Sequence, residues 1–195
     1  MFGNIKTIAI VGVVGFVAYS MFFSSKSEQT ADLGQVLDRT EFAINQYQEY
    51  LEANSIAEAS DEQVDEFTGY LAQVMNSDPR FYDEPLGMEV LSDAKFSGFV
   101  DPNANGTRDS SEGEIFTIEI DEANNRLIAT DTTGQSAGLR FSGAGFLAGA
   151  LIGNLISRQR LAGITASSFN NRSVTPRNSY SAPRSARSGG LRAGK

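Results

Sequence analysis

The sequence predicts an α+β protein: an N-terminal transmembrane helix, a helical hairpin packed on a small antiparallel sheet, a glycine-rich apolar helix and a disordered basic tail. Three observations carry this. Ile5–Phe23 is apolar apart from Lys6. Residues 31–75 repeat apolar side chains at helical spacing, and residues 95–130 alternate like strands. The implied divisions are a membrane anchor over 1–27, an acidic α+β domain over 28–139, an apolar helix over 140–160 and a tail over 161–195.

The first segment is 19 residues long. At helical rise it covers about 29 Å, close to the hydrocarbon thickness of a bilayer. Ala18-Tyr19-Ser20 has the small-x-small form of a signal-peptidase site, but the apolar run continues through Phe23, which favours an uncleaved anchor. Ala31–Ala53 then places Leu33, Val36, Leu37, Ile44, Tyr47 and Leu51 on one helical face. Ser60 and Gln63 form a capping box for a second helix with the stripe Val64, Phe67, Leu71, Val74 and Met75. The short join between them suits antiparallel neighbours. Asn76–Gly87 reads as a loop, and strands are expected at Lys95–Val100, Glu114–Ile120 and Arg126–Thr130.

Between the first two of these strands runs DPNANGTRDSSE, Asp101–Glu112. Oxygen-bearing side chains fall at its first, third, fifth, ninth and twelfth places, with glycine at the sixth. The stretch resembles the calcium-binding loop of the EF-hand family over these twelve residues. That resemblance implies Ca²⁺ held by the side chains of Asp101, Asn103, Asn105, Asp109 and Glu112 and the carbonyl of Thr107, with Gly106 permitting the bend. The flanks depart from the family, being strand-like rather than helical. Arg108 occupies the eighth place, where paired EF-hands put an aliphatic residue, and no sister loop is present. The context is similar to lone calcium loops in the repeats of bacterial surface proteins. The competing reading is an Asx-rich turn whose acids are merely solvated.

Charge divides the chain. All 24 Asp and Glu lie in residues 1–132 with seven Lys and Arg, whereas residues 133–195 hold nine Lys and Arg and no acid. Such a split points to two environments or an electrostatic tail. With no Cys and no His, disulfides, a lipoprotein anchor, zinc fingers and thiol or imidazole catalysis are excluded. Asp131-Thr132-Thr133-Gly134 has an extra Thr and no second copy relative to an aspartic-protease motif. No enzyme activity is expected.

Phe141–Ile156 carries Gly145, Gly149 and Gly153 at four-residue spacing, a glycine zipper. Three readings stay open for it: a short second span, an interfacial or oligomer-forming helix, and a buried helix of the domain. The zipper would serve a homo-oligomer or a membrane-protein partner. From Ile164 the chain is rich in Ser, Asn, Arg and Gly and is expected to be disordered. Its arginines suit membrane lipid; only Phe169 and Tyr180 are available to stack on bases, which disfavours nucleic acid. The functional expectation is a membrane-anchored calcium-binding envelope protein of the bacterial inner membrane, its domain 28–139 facing outward, in a structural or assembly role. The alternatives are a calcium-responsive sensor of a membrane partner and a glycine-zipper oligomer resembling a pore.

Overall fold

A computed structural model describes residues 29–142 and 145–186. The proposed anchor Ile5–Phe23 lies outside them. The class is α+β, with three helices and a six-stranded sheet among the described residues. Helix α1 spans Leu33–Ala53 and helix α2 Asp61–Met75. Asp32 starts α1, its Oδ1 accepting from the N–H groups of Gly34 and Gln35 at 3.0 and 3.3 Å. Gln63 Oε1 accepts from the Ser60 N–H at 2.8 Å at the head of α2. Both helices bury the stripe their periodicity predicts: Val36, Leu37, Ile44, Val64, Phe67 and Leu71 are fully enclosed.

The sheet runs in chain order, β1 (Leu86–Val90), β2 (Phe96–Val100), β3 (Glu114–Asp121), β4 (Arg126–Asp131), β5 (Ser136–Arg140) and β6 (Thr175–Pro176). Neighbours are antiparallel except β5 and β6, which are parallel. Helix α2 lies over β1, and α1 lies over β4 and β5. Phe96, Phe116, Ile118, Ile120, Leu127 and Ala129 form the sheet's side of this core. Phe67 of α2 meets Phe96 edge-on with ring centroids 5.5 Å apart. Two glycines make room for aromatic rings from the next strand. A Cβ on Gly98 would stand 2.3 Å from the Phe116 ring, its cross-strand partner, and one on Gly87 would stand 2.2 Å from Phe99.

The glycine-rich stretch departs from the long apolar helix expected of it. Phe146–Ala148 form a 3₁₀ turn, Gly149 is extended with ψ 147°, and helix α3 covers only Ala150–Leu161. Twelve residues reach about 18 Å, short of a bilayer. Among the described residues no helix is long and apolar enough to cross a membrane. Leu151, Ile152, Leu155 and Ile156 instead join the core beneath α1, the arrangement of a buried helix of the domain. The three zipper glycines do not share a helical face, because the chain bends at Gly149, where the Gln48 side chain presses close.

The tail is also placed differently. Residues 164–186 lie on the domain, and residues 187–195 are outside the described part. Arg172 pairs with Glu119 and donates to Thr130 Oγ1 at 3.2 Å, while Val174 lies over Gly138. These residues belong to the sheet face turned away from the helices, since side chains alternate along a strand. Further along, Arg177 grips Asp38 through Nε at 2.9 Å, and the Tyr180 hydroxyl accepts from the Leu33 N–H at 3.2 Å. With Arg158 on Asp61 and Arg160 on Glu122, the basic half of the chain is fastened to the acidic half. A low-hydrophobicity segment cannot order itself; this one orders against charges and apolar surface already present.

Two outcomes follow for stability in urea. Gly98→Ala, which must displace the buried Phe116 ring, is expected to cost about 1–3 kcal/mol, whereas Gly153→Ala, in open space on α3, is expected to stabilise by roughly 0.5–1 kcal/mol. A zipper-driven fold would instead lose stability at Gly153. Arg172→Met leaves the buried Glu119 carboxylate with Lys95 alone and is expected to cost about 1–3 kcal/mol, a loss that Glu119→Gln in the same chain partly restores.

Candidate metal centre

The connection between β2 and β3 begins at Asp101 and ends at Gly113, far longer than the two to five residues usual in a hairpin. Its ends are closed by backbone bonds. Val100 donates to Gly113 at 3.2 Å and Asp101 to Pro85 at 2.9 Å. Between these ends the side chains hold the loop by a ladder of Asx bonds. Asp101 Oδ1 accepts from the Asn105 N–H at 3.1 Å and Oδ2 from the Gly106 N–H at 2.8 Å. Asn103 Oδ1 accepts from Asn105 at 3.0 Å, and Asn105 Oδ1 from the Thr107 N–H at 2.7 Å. Short polar side chains do this because they can reach a backbone N–H two residues ahead. The bend itself requires left-handed backbone at Ala104 (φ 53°) and Gly106 (φ 72°).

The predicted donors are thereby gathered unevenly. Asn103 Nδ2 donates to Asp109 Oδ2 at 2.9 Å, and Asn105 Nδ2 approaches the same oxygen at 3.5 Å, so the first, third, fifth and ninth positions surround one small space. Glu112 joins the group at Asp109. Its Oε2 accepts from the Asp109 N–H at 2.8 Å. Thr107 is fixed through its N–H and leaves its carbonyl to the loop. Among the described residues no three Asp or Glu side chains converge to hold a metal ion. Two amide oxygens would have to complete any shell, whereas Asn103 and Asn105 here turn Nδ2 toward Asp109 and give Oδ1 to backbone N–H groups.

Burial distinguishes the two terminal acids. Asp101 is 3% exposed and Glu112 is 7% exposed, while the middle of the loop is open to water. No ion pair among the described residues reaches Asp101, Asp109 or Glu112. Arg108 points away from their carboxylates, pairing with Glu89 of β1 at 2.9 Å and donating through Nε to the Glu112 carbonyl at 3.2 Å. The donor set is entirely hard oxygen, which suits Ca²⁺ over softer metals. The residue types are those that hold a calcium ion, but among the described residues the carboxylates are not gathered into a metal-binding group.

Two other buried carboxylates have local employment. Asp131 holds the β4–β5 turn, its Oδ1 accepting from Thr133 N–H at 2.9 Å and Gln135 N–H at 3.0 Å, with Gly134 at φ 83°. Glu119 faces Arg172 and Lys95. Burial would lower the Lys95 pKa, but the Asp93 and Glu119 carboxylates outweigh it and hold the ammonium above its ordinary value. The Arg108–Glu89 pair is not legible in the sequence, where the loop expected over Asn76–Gly87 takes in the first two residues of β1 and no strand is expected at Met88–Val90. No family model, curated protein or solved structure matches this chain.

Proposed function

We propose that this chain is a membrane-anchored calcium-binding envelope protein with a structural or assembly role. Ile5–Phe23 is the anchor, and the acidic domain faces outward from a bacterial inner membrane. Ca²⁺ is held by Asp101, Asn103, Asn105, the Thr107 carbonyl, Asp109 and Glu112. The observation that supports this most is a pair of buried carboxylates, Asp101 and Glu112, at the two ends of an oxygen-rich loop with no cationic partner among the described residues. Water would solvate such acids better than the fold does, and a divalent cation offsets that cost. An ion there would clamp the end of β2 to the start of β3. The proposal assigns no reaction to the site.

The decisive measurement is calorimetric titration of Ca²⁺ into the full chain in detergent, with Asp101→Ala and Glu112→Gln alongside. Binding at about 10⁻⁴–10⁻³ M is expected, in the range of extracellular calcium modules, with each variant at least about tenfold weaker. Absence of saturable heat in the unaltered chain sinks the metal site.

The orientation of the loop amides favours one further reading, a calcium-responsive sensor of a membrane partner. Because Asn103 and Asn105 turn Nδ2 toward Asp109, their amides would have to turn over to give Oδ1 to an ion, and binding would rearrange the loop. Amide exchange at residues 101–114 is then expected to slow on adding calcium while the two-helix layer stays unchanged. Equal exchange with and without bound calcium leaves only the static clamp.

A further inference from the structure

A groove of about 490 Å³ opens between α1 and α2, within the range of roughly 300–1,000 Å³ usual for small-molecule sites. Three tyrosines line it. The Tyr47 ring, nearly enclosed, has its centroid 5.5 Å from that of Tyr50 and 6.5 Å from that of Tyr70. Tyr50 is 45% exposed, so much of its ring is open to whatever enters. Asp65 and Glu66 of α2 stand on the same groove. The Tyr47 hydroxyl donates to Glu66 Oε2 at 2.9 Å. Burial, together with that carboxylate, pushes the phenol pKa above its ordinary value. Tyr47 therefore keeps its proton, and its hydroxyl engages only one of the two Glu66 oxygens.

Residues 40–79 contain nine Asp and Glu and no Lys or Arg, so the stretch that forms the groove has no cation of its own to balance it. Cations from neighbouring segments are engaged elsewhere. Arg39 donates to the Val74, Ser77 and Pro79 carbonyls at the end of α2. Arg158 of α3 pairs with Asp61, and Arg177 holds Asp38. Arg80, Arg140 and Arg184 are exposed without an ion pair among the described residues, and none of them lines the groove. Asp65 and Glu66, with Glu49 and Glu62 on the same helices, also have no ion pair among the described residues. Gly69 lines the groove too, in the interior of α2, where glycine is the least favourable residue after proline. No neighbour demands it there, since a Cβ would meet nothing within 4 Å. A side chain at this position would fill the groove instead.

We propose that this groove binds a small quaternary ammonium compound, its cationic head set against the rings of Tyr47, Tyr50 and Tyr70 beside Asp65 and Glu66. The face of an aromatic ring carries negative potential and attracts a cation within about 6 Å of its centroid, each ring contributing roughly a two- to fivefold factor at an exposed site. A trimethylammonium head suits such walls because it is weakly hydrated, packs its methyl groups on the rings and asks for no hydrogen-bond acceptor. A primary ammonium asks for three acceptors, and Glu66 already gives one oxygen to Tyr47. A bare metal ion asks for several converging oxygens, and among the described residues no three acids converge. The two carboxylates add a longer-range attraction that salt screens. The groove depends on neither the anchor nor the calcium loop.

The test titrates the full chain, in maltoside detergent with chelator, against choline and against 3,3-dimethylbutanol, its neutral carbon isostere. The ligand methyl proton resonance is followed, because tyrosine ring currents displace it upfield. A saturable upfield shift is expected for choline, with the isostere and methylammonium each at least about tenfold weaker. Tyr50→Leu and Tyr70→Leu, which keep apolar surface, are each expected to weaken choline by about two- to fivefold, and Asp65→Asn/Glu66→Gln by about tenfold at low salt. Gly69→Leu, which closes the groove, should abolish the shift without lowering the urea midpoint, leucine being the better helix former. Absence of a saturable shift in the unaltered chain, equal binding of the isostere or of methylammonium, or a shift unchanged in Gly69→Leu overturns the proposal. If Gly69→Leu lowers the midpoint, the tyrosine and carboxylate variants decide, and unchanged binding in all of them overturns it. Glycerophosphocholine separates a free compound from a lipid headgroup. Its phosphate faces the two acids, so weaker binding than choline is expected, and equal or tighter binding overturns the assignment to a free compound.

Discussion

Glu119 sits in the middle of the sheet on the face turned away from the helices, 5% exposed. A carboxylate there needs a cation, and β2 provides one in Lys95 at 3.5 Å. The second comes from far away in the chain, as Arg172. This ion pair settles how the rest of the molecule is assembled. To deliver Arg172, the chain must pass beneath α1 as α3 and turn at Gly163. It then crosses the second sheet face, with Val174 filling the space over Gly138. The sheet is thereby covered on its second face as well, which is what a small sheet needs to persist.

The uneven charge distribution has the same explanation. Acids concentrated before residue 133 and cations after it looked like two environments, and for most of the second half they are one. Arg158, Arg160, Arg172 and Arg177 bind back onto the acidic half. Individually, exposed pairs such as Arg160–Glu122 are worth little. Their importance is in register, since each places one stretch of a segment that has few apolar side chains to place it.

Near the end where Ser185 Oγ meets Thr30 Oγ1 lies the oxygen-rich loop, tied there through the Asp101 N–H and the Pro85 carbonyl. The opposite end, with the β1–β2 and β3–β4 turns, is self-contained. Asp121 there is matched by Arg126 at 2.7 Å and by the Asn124 amide at 2.9 Å.

How much of this was legible in the residues depended on the range of the interactions involved. The sequence by itself determined α1 and α2, because helical periodicity and caps such as Asp32 and Ser60 act within a few residues. It also determined the strands on either side of Asp101–Glu112 and the oxygen donors of that loop, which are properties of residue type. Tertiary structure decided whatever needs a distant partner. Leu86–Val90 and Ser136–Arg140 carry Gly87 and Gly138 and no strict alternation, and become strands only beside β2 and β4. Gly145, Gly149 and Gly153 read as one helical face until Gln48 of α1 bends the chain at Gly149. The tail has the composition of a disordered segment and is ordered by Glu119 and Asp38, acids more than 50 residues away. Whether Glu112 turns toward Asp109 or away from it is likewise a matter of rotamer and packing, which residue spacing does not encode.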